Sequence, residues 1–188
     1  MRQPLRVRRI EGQQVAIRRF RLTDEPAVWA GLVAADPAAS PRPPQRHPLR
    51  DRLSRSGEFD GGSLNLGIET DGRLIGDVQV REGAGQRLPP GVVELGIQLY
   101  HGDQRGKGYG TEAIRLLTAW IFENEVAERV QASTTTGNLA MRRVLEKAGF
   151  TFEGVMRGFM PVGDHREDFA LYAVTKDEWR RQPRPADR

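Results

Sequence analysis

The stretch VVELGIQLYHGDQRGKGYGTEAIRLLTAWIFE, residues 92–123, decides the fold. Val93, Leu95, Ile97 and Leu99 alternate with Glu94, Gly96 and Gln98, a period of two that predicts a strand over 92–100 with one apolar face and Glu94 on the other. From Thr111, Ala113, Ile114, Leu117 and Ile121 recur at helical spacing and predict an amphipathic helix ending near Glu123 to Glu125. Between the two lies Arg105-Gly106-Lys107-Gly108-Tyr109-Gly110-Thr111. Its closely spaced glycines let the backbone turn tightly and aim several N–H groups at one point, where the helix N-terminus adds a partial positive charge. Such a nest suits phosphate. The spacing departs from the Walker pattern, which needs Gly-Lys-Ser/Thr after four intervening residues, and from the dinucleotide pattern, which needs a Gly at the sixth position. Nucleotide hydrolysis and NAD binding therefore lose support.

Upstream, Val15 to Arg21 reads as a strand, and Thr23-Asp24-Glu25-Pro26 opens a helix through about Leu32. Pro37, Pro41, Pro43, Pro44 and Pro48 predict an irregular, mobile connection before a short basic helix near Leu49 to Ser56. LNLGIET (64–70), the turn Asp71-Gly72 and RLIGDVQV (73–80) carry a β-hairpin signature. A Gly- and Pro-rich connection spans Gly83 to Gly91. Downstream, RVQASTTT (129–136) reads as a strand, and Met141, Val144, Leu145 and Ala148 give a helix stopped by Gly149. The stretch from Phe150 to Met160 and DFALYAV (168–174) read as two more strands around a polar turn at Gly163 to Arg166. This order predicts an α/β (α+β) domain, a mixed sheet with helices on both faces.

At 188 residues and 21.1 kDa, one domain is expected over 13–179, between a basic N-terminal extension (1–12) and a flexible tail (180–188). No apolar run approaches the roughly 18 residues of a spanning helix, and the start shows no secretory signal, so a cytoplasmic protein is expected. Cysteine is absent, which removes a Cys nucleophile. The net charge of +4 resides at the termini: residues 1–55 hold 12 Arg against 5 acids, and the middle of the chain is net acidic. With no reading motif, this argues against nucleic acid as a partner. His47, His101 and His165 lack metal-site spacing. Trp29, Phe59, Trp120 and Trp179 read as packing residues.

RGKGYG (105–110) fits the pattern Arg/Gln-x-x-Gly-x-Gly/Ala at Arg105, Gly108 and Gly110, and NLAMRRVLEKAGF (138–150) looks like a second signature helix. On these two motifs the chain resembles the GNAT superfamily of N-acetyltransferases over roughly residues 13–179. Its closing stretch (152–179) is most similar to the RimJ/RimL-like branch, which includes ribosomal-protein N-terminal acetyltransferases. The resemblance implies a mostly antiparallel sheet splayed at the cofactor cleft and acetyl-CoA as acyl donor, with no metal. It implies that Arg105, Gly106, Lys107, Gly108, Tyr109, Gly110 and Thr111 hold the pyrophosphate and that pantetheine pairs with the strand backbone near Ile97 and Leu99. Asn138 would bond the cofactor arm; its position before the helix also makes it a cap. Arg142 and Arg143 would reach the adenosine phosphates.

Direct transfer to an amine requires loss of its proton, since α-amino groups titrate near ~7.7–8.0 and Lys near ~10.4. Glu94 is placed to resemble the family's base, acting through water. Many relatives carry a Tyr acid where this chain has Leu145, so no general acid is assigned. The stretch from Glu94 to Arg105 is about one residue longer than usual, which leaves open which of Leu99, Tyr100 and His101 meets the thioester. The expected acceptor is a protein α-amine or a small cationic amine, with Asp164, Glu167 and Asp168 favouring positive charge. A different donor such as succinyl-CoA, or an acyl-CoA sensor without catalysis, are the alternatives. The resemblance also implies a homodimer.

Overall fold

The computed structural model describes residues 5–34, 46–59, 62–82 and 88–182. In chain order come strands β1 (Leu5–Arg6), β2 (Arg9–Glu11) and β3 (Ala16–Arg18), a 3-10 turn at Leu22–Asp24, and helices α1 (Glu25–Val33) and α2 (Arg46–Ser54). Strands β4 (Glu58–Phe59), β5 (Ser63–Thr70), β6 (Arg73–Glu82) and β7 (Val92–Leu99) follow. After a 3-10 turn at Gly102–Gln104 come α3 (Tyr109–Glu123), β8 (Arg129–Thr135), α4 (Leu139–Lys147), β9 (Thr151–Val162), β10 (His165–Thr175) and α5 (Lys176–Arg181). Eight strands form one sheet in the order β2-β3-β5-β6-β7-β8-β10-β9, while β1 and β4 make a separate ribbon. Every pairing is antiparallel except β7 with β8.

Strand alternation decides what each face of the sheet becomes. Leu64, Leu66 and Ile68 of β5, Val78 and Val80 of β6, Val93 and Leu95 of β7 and Val130 of β8 share one face and are buried. Helix α3 covers them with Ala113, Ile114, Leu117 and Ile121, and α4 adds Leu145 and Ala148. Full burial of one such Leu or Ile side chain contributes about 1.5–3 kcal/mol, so this face holds the domain together. The opposite face carries Asp77, Gln79, Glu94 and Gln98, and among the described residues one end of it is roofed. There α1 and α2 close a smaller cluster of Phe20, Val28, Leu49, Leu53 and Tyr100. Helix α1 approaches closely because Gly31 presents no side chain: a Cβ there would collide with the Tyr100 ring. The Gln98 amide then donates to the Gly31 carbonyl at 2.7 Å.

Helices on both faces agree with expectation, as does the hairpin, whose Asp71 (φ 48°) and Gly72 (φ 74°) give the left-handed pair of a type I′ turn. The first expected strand, by contrast, is only Ala16–Arg18, and the sheet does not begin at residue 13. Residues of the expected N-terminal extension form β1 and β2, and β2 pairs with β3 at the sheet edge. Helix α3 starts two residues before Thr111, because Gly108 adopts φ 89° and turns the chain straight into the first helical turn. Helix α2 begins at Arg46 and accommodates Pro48 in its first turn, where a missing N–H costs little. The prolines at 37, 41, 43 and 44 lie outside the described residues, as do positions 83–87 of the Gly- and Pro-rich connection and positions 183–188 of the tail. Phe59, Trp120 and Trp179 pack in or against the main core and Trp29 against the smaller one, as packing residues should.

Candidate active site at the fork of the sheet

Strands β7 and β8 run parallel and pair only at Val92–Arg129, Val93–Val130 and Glu94–Gln131. Beyond that point β7 stays paired with β6 as far as Leu99, whereas β8 pairs with β10 to Thr135. The sheet therefore forks, and the β7 backbone from Leu95 to Leu99 has a ladder on one side only. Ile97 and Leu99 both lie on this stretch, with their side chains packed against the main core. The expected splay is present, and it gives an extended ligand unpaired N–H and C=O groups to meet.

The glycine loop crosses the open end of the fork. Arg105 is extended, Gly106 (φ 78°) and Gly108 (φ 89°) are left-handed, and Gly108 is the N-cap of α3 with no side chain capping the helix. The N–H groups of the first turn, over Tyr109, Gly110 and Thr111, have no partner within the helix. The acid in that turn, Glu112, is committed elsewhere: its carboxylate accepts from the backbone N–H groups of Gln13 and Gln14, tying that loop to the helix. Arg105 and Lys107 are exposed beside the nest. A Cβ at Gly110 would lie 3.8 Å from both Ile97 and Val144, so the helix start, β7 and α4 converge here. The arrangement is an uncapped helix terminus with two cations at the mouth of a backbone cleft, and it can bind a polyanion attached to an amide-bearing chain.

Asn138 stands across the fork as the N-cap of α4, its Oδ1 accepting from Met141 N at 3.1 Å. The cap reading is thus realised, and the carboxamide sits at the rim. Arg143 is exposed on α4. Arg142 is engaged, donating to the Tyr172 hydroxyl at 3.1 Å and to the Thr136 carbonyl at 3.2 Å, so it serves as a brace between α4 and the sheet. Leu145 is fully buried in the core.

Glu94 occupies the crotch of the fork, on the face away from the main core. Arg81 lies 3.2 Å from one carboxylate oxygen and the Gln131 amide 3.5 Å from the other. Its side chain is 27% exposed, so water reaches the carboxylate. Sequence reasoning passed over a second acid on the same face, Asp77. Asp77 is 3% exposed. It accepts from the Tyr100 hydroxyl at 2.8 Å and the Gln79 amide at 3.3 Å, and Arg52 of α2 stops 3.8 Å away. Burial pushes its carboxyl above the usual range, against the opposing pull of Arg52, Tyr100 and Gln79. Alternation of strand β6 put Asp77 on the polar face; nothing local in sequence said that α1 and α2 would cover it.

Of the histidines, His101 is exposed and helps line a groove of about 560 Å³ with Arg73, Lys107 and Tyr109. His165 sits between Glu167 (3.0 Å) and Asp164 (3.5 Å), which hold its imidazole above its ordinary pKa. The side chain of His47 is outside the described residues.

Comparison with known proteins places these features in a family. Residues 14–151 match the family model described as "Acetyltransferase (GNAT) domain". The chain is 31% identical over 125 residues to "Probable N-acetyltransferase YjcK" of Bacillus subtilis, a match covering 66% of each; it therefore spans just under two thirds of that relative. A GNAT-family acetyltransferase structure from Bacillus anthracis superposes with a TM-score of 0.73 over 90% of this chain and 99% of that one, at 20% identity. Mycobacterium smegmatis RimJ in complex with CoA-disulfide gives 0.69 over 93% and 88%, at 21% identity, and both structures share the fold. The chain belongs to the GNAT acetyltransferase domain family.

Proposed function

We propose that the chain transfers an acetyl group from acetyl-CoA to a primary amine by direct attack on the thioester. The observation that carries this reading is the fork: a strand edge unpaired from Leu95 to Leu99 ending on an uncapped, glycine-rich helix N-terminus. Family membership supports it, as does the CoA-disulfide held by the RimJ structure of the same fold. The nest of Arg105 to Thr111 receives the pyrophosphate, and the β7 backbone near Ile97 and Leu99 pairs with the pantetheine amides. Asn138 and Arg143 contact the arm and the adenosine phosphates from the opposite bank. Glu94, through water, takes the proton of the incoming ammonium; the amine nitrogen attacks the thioester carbon, and backbone N–H groups of β7 stabilise the oxyanion. The C–S bond then breaks. A thiol of pKa ~8.5 departs as thiolate and takes up, through solvent, the second proton that the former amine nitrogen sheds as the amide forms, so the absence of a Tyr at Leu145 does not block the step.

The acceptor class follows the RimJ/RimL-like resemblance of residues 152–179, a protein α-amine or a small amine. A cytoplasmic homodimer belongs to the same reading and rests on resemblance; a monomer in sedimentation at micromolar concentration would remove the dimer. The test is free-thiol release from acetyl-CoA against an amine panel, with thermal shift on acetyl-, succinyl- and free CoA. Stabilisation with amine-dependent release is expected. Stabilisation without release would leave an acyl-CoA sensor, and no stabilisation by any CoA form would overturn the reading.

A further inference from the structure

Strand β9 carries apolar side chains that neither core claims. Phe159 is 45% exposed and stacks at 5.4 Å, tilted by 51°, on Phe169 of β10. Phe169 pairs on one side with Met156 and on the other with Thr135 of β8, so all three share a face. Alternation links Thr135 to Ser133 and Gln131, and Gln131 pairs with Glu94. The aromatic strip is therefore on the Glu94 face, one strand spacing beyond the bank of the fork, with Phe169 level with Thr135, four residues or about 13 Å along β8 from Gln131.

The strip is a built feature. Register shifts between Glu167 and Phe169 bulge β9 outward. Asp168 accepts from the Gly158 N–H at 2.6 Å, Gly158 adopts φ 56°, and Arg166 donates to the carbonyls of Gly158 and of Phe159. Bulges of this kind re-aim side chains beside active sites, and this one turns Phe159 onto Phe169.

The acids near the strip are meanwhile committed. Glu153 is forked by Arg129, Glu167 and Asp164 flank His165, Asp168 holds Gly158, and Asp77 is buried against Tyr100. Each of these carboxylates already has a partner on the protein itself. The acidic residues that in sequence favour a cationic acceptor thus hold the bulge and the turn in shape.

We infer that the acceptor is a monoamine whose neighbouring substituent is apolar, with the amine at Glu94 and the substituent on Phe159, Phe169 and Met156, and that Phe159 determines this specificity. The inference rests on the acetyl-transfer reading above. The experiment measures thiol release from acetyl-CoA with peptides identical except for a first residue of Phe, Leu, Ser, Asp or Lys, alongside spermine and kanamycin. Apolar-first peptides are expected to lead in kcat/KM, and Phe159→Ala to cut that lead by about tenfold while Phe159→Leu keeps most of it. Acetyl-CoA thermal shift and the unfolding midpoint should stay unchanged in both variants. Equal or better turnover of the polycations, or a Phe159→Ala ratio equal to that of the parent, would overturn the inference while leaving acetyl transfer standing. So would a Phe159→Ala change confined to sedimentation, which would assign the strip to a second copy of the chain. Donor-induced stabilisation without release from any amine would overturn the inference and leave only donor binding; no stabilisation by acetyl-CoA would bring down the transfer reading with it.

Discussion

Two buried clusters of charge lie on the same side of the sheet and are built on opposite principles. At its N-terminal edge, Arg18 is 4% exposed and forks onto Asp24 at 2.7 and 3.1 Å while its Nε meets Glu69, which also receives Arg9 at 2.7 Å. Burial opposes ionisation of Asp24 and Glu69, but the guanidinium contacts outweigh it and hold both carboxyls below their usual range. Under α1 and α2, Asp77 has a hydroxyl and an amide as partners and a guanidinium only at 3.8 Å, and its carboxyl moves the other way. Among the described residues, the buried Nε and Nη2 atoms of Arg52 have no hydrogen-bond partner. The first cluster is a finished tie between β3, β5 and the entry to α1. The second is an unfinished contact beneath α1 and α2 on the face that carries Glu94, where polar groups are tolerated at a cost to stability.

The contrast can be broken most sharply at Arg18. Arg18→Ala leaves two carboxylates buried without their fork and should lower unfolding free energy by about 3–5 kcal/mol in a denaturant titration. A loss under ~1 kcal/mol, the range of an exposed pair, would dissolve the distinction. Glu94 supplies the third kind of acid, one that is reachable by water. Glu94→Gln should reduce kcat about a hundredfold near neutral pH while leaving acetyl-CoA stabilisation and the unfolding midpoint in place; unchanged rates across pH would remove Glu94 from the chemistry.

The smallest effect separates the clusters by sign. Asp24 and Glu69, with folded pKa values depressed, contribute stability that is present above the unfolded pKa, about 4, and is lost as pH falls through the folded values. Asp77, with its folded pKa raised, does the reverse: stability declines as pH rises from about 4 to the folded value and is level beyond it. Asp77→Asn should change stability at pH 4 by less than ~1 kcal/mol and should gain on the parent protein between pH 4 and 7. Parallel pH profiles for parent and variant would show that Asp77 does not titrate in the fold.

Much of this architecture was legible from residues 92–123. Alternation through Leu99 gave the strand, helical spacing from Ala113 gave α3, and the glycine spacing gave the nest. The hairpin was equally clear because Asp71-Gly72 has one good use. What stayed hidden was tertiary. β2 is three residues, Arg9–Glu11, too short for any period to register. Arg18 and Glu69 belong to separate strands, and only the fold brings positions 18, 24 and 69 together. Phe159 read as one apolar residue in a strand; its direction depends on a bulge whose makers, Arg166 and Asp168, are on the partner strand.

The three-pair junction of β7 with β8 has a further consequence. An edge strand is normally found at the border of a sheet, where its unsatisfied groups invite pairing with other chains. Here the edge from Leu95 to Leu99 is in the middle of the sheet, with β8 diverging on its free side. The fold keeps a recruiting surface inside the sheet, where a chain can pair with it only by entering between β7 and β8. The exposure of that edge to other chains and its access for an extended ligand are then set by one gap.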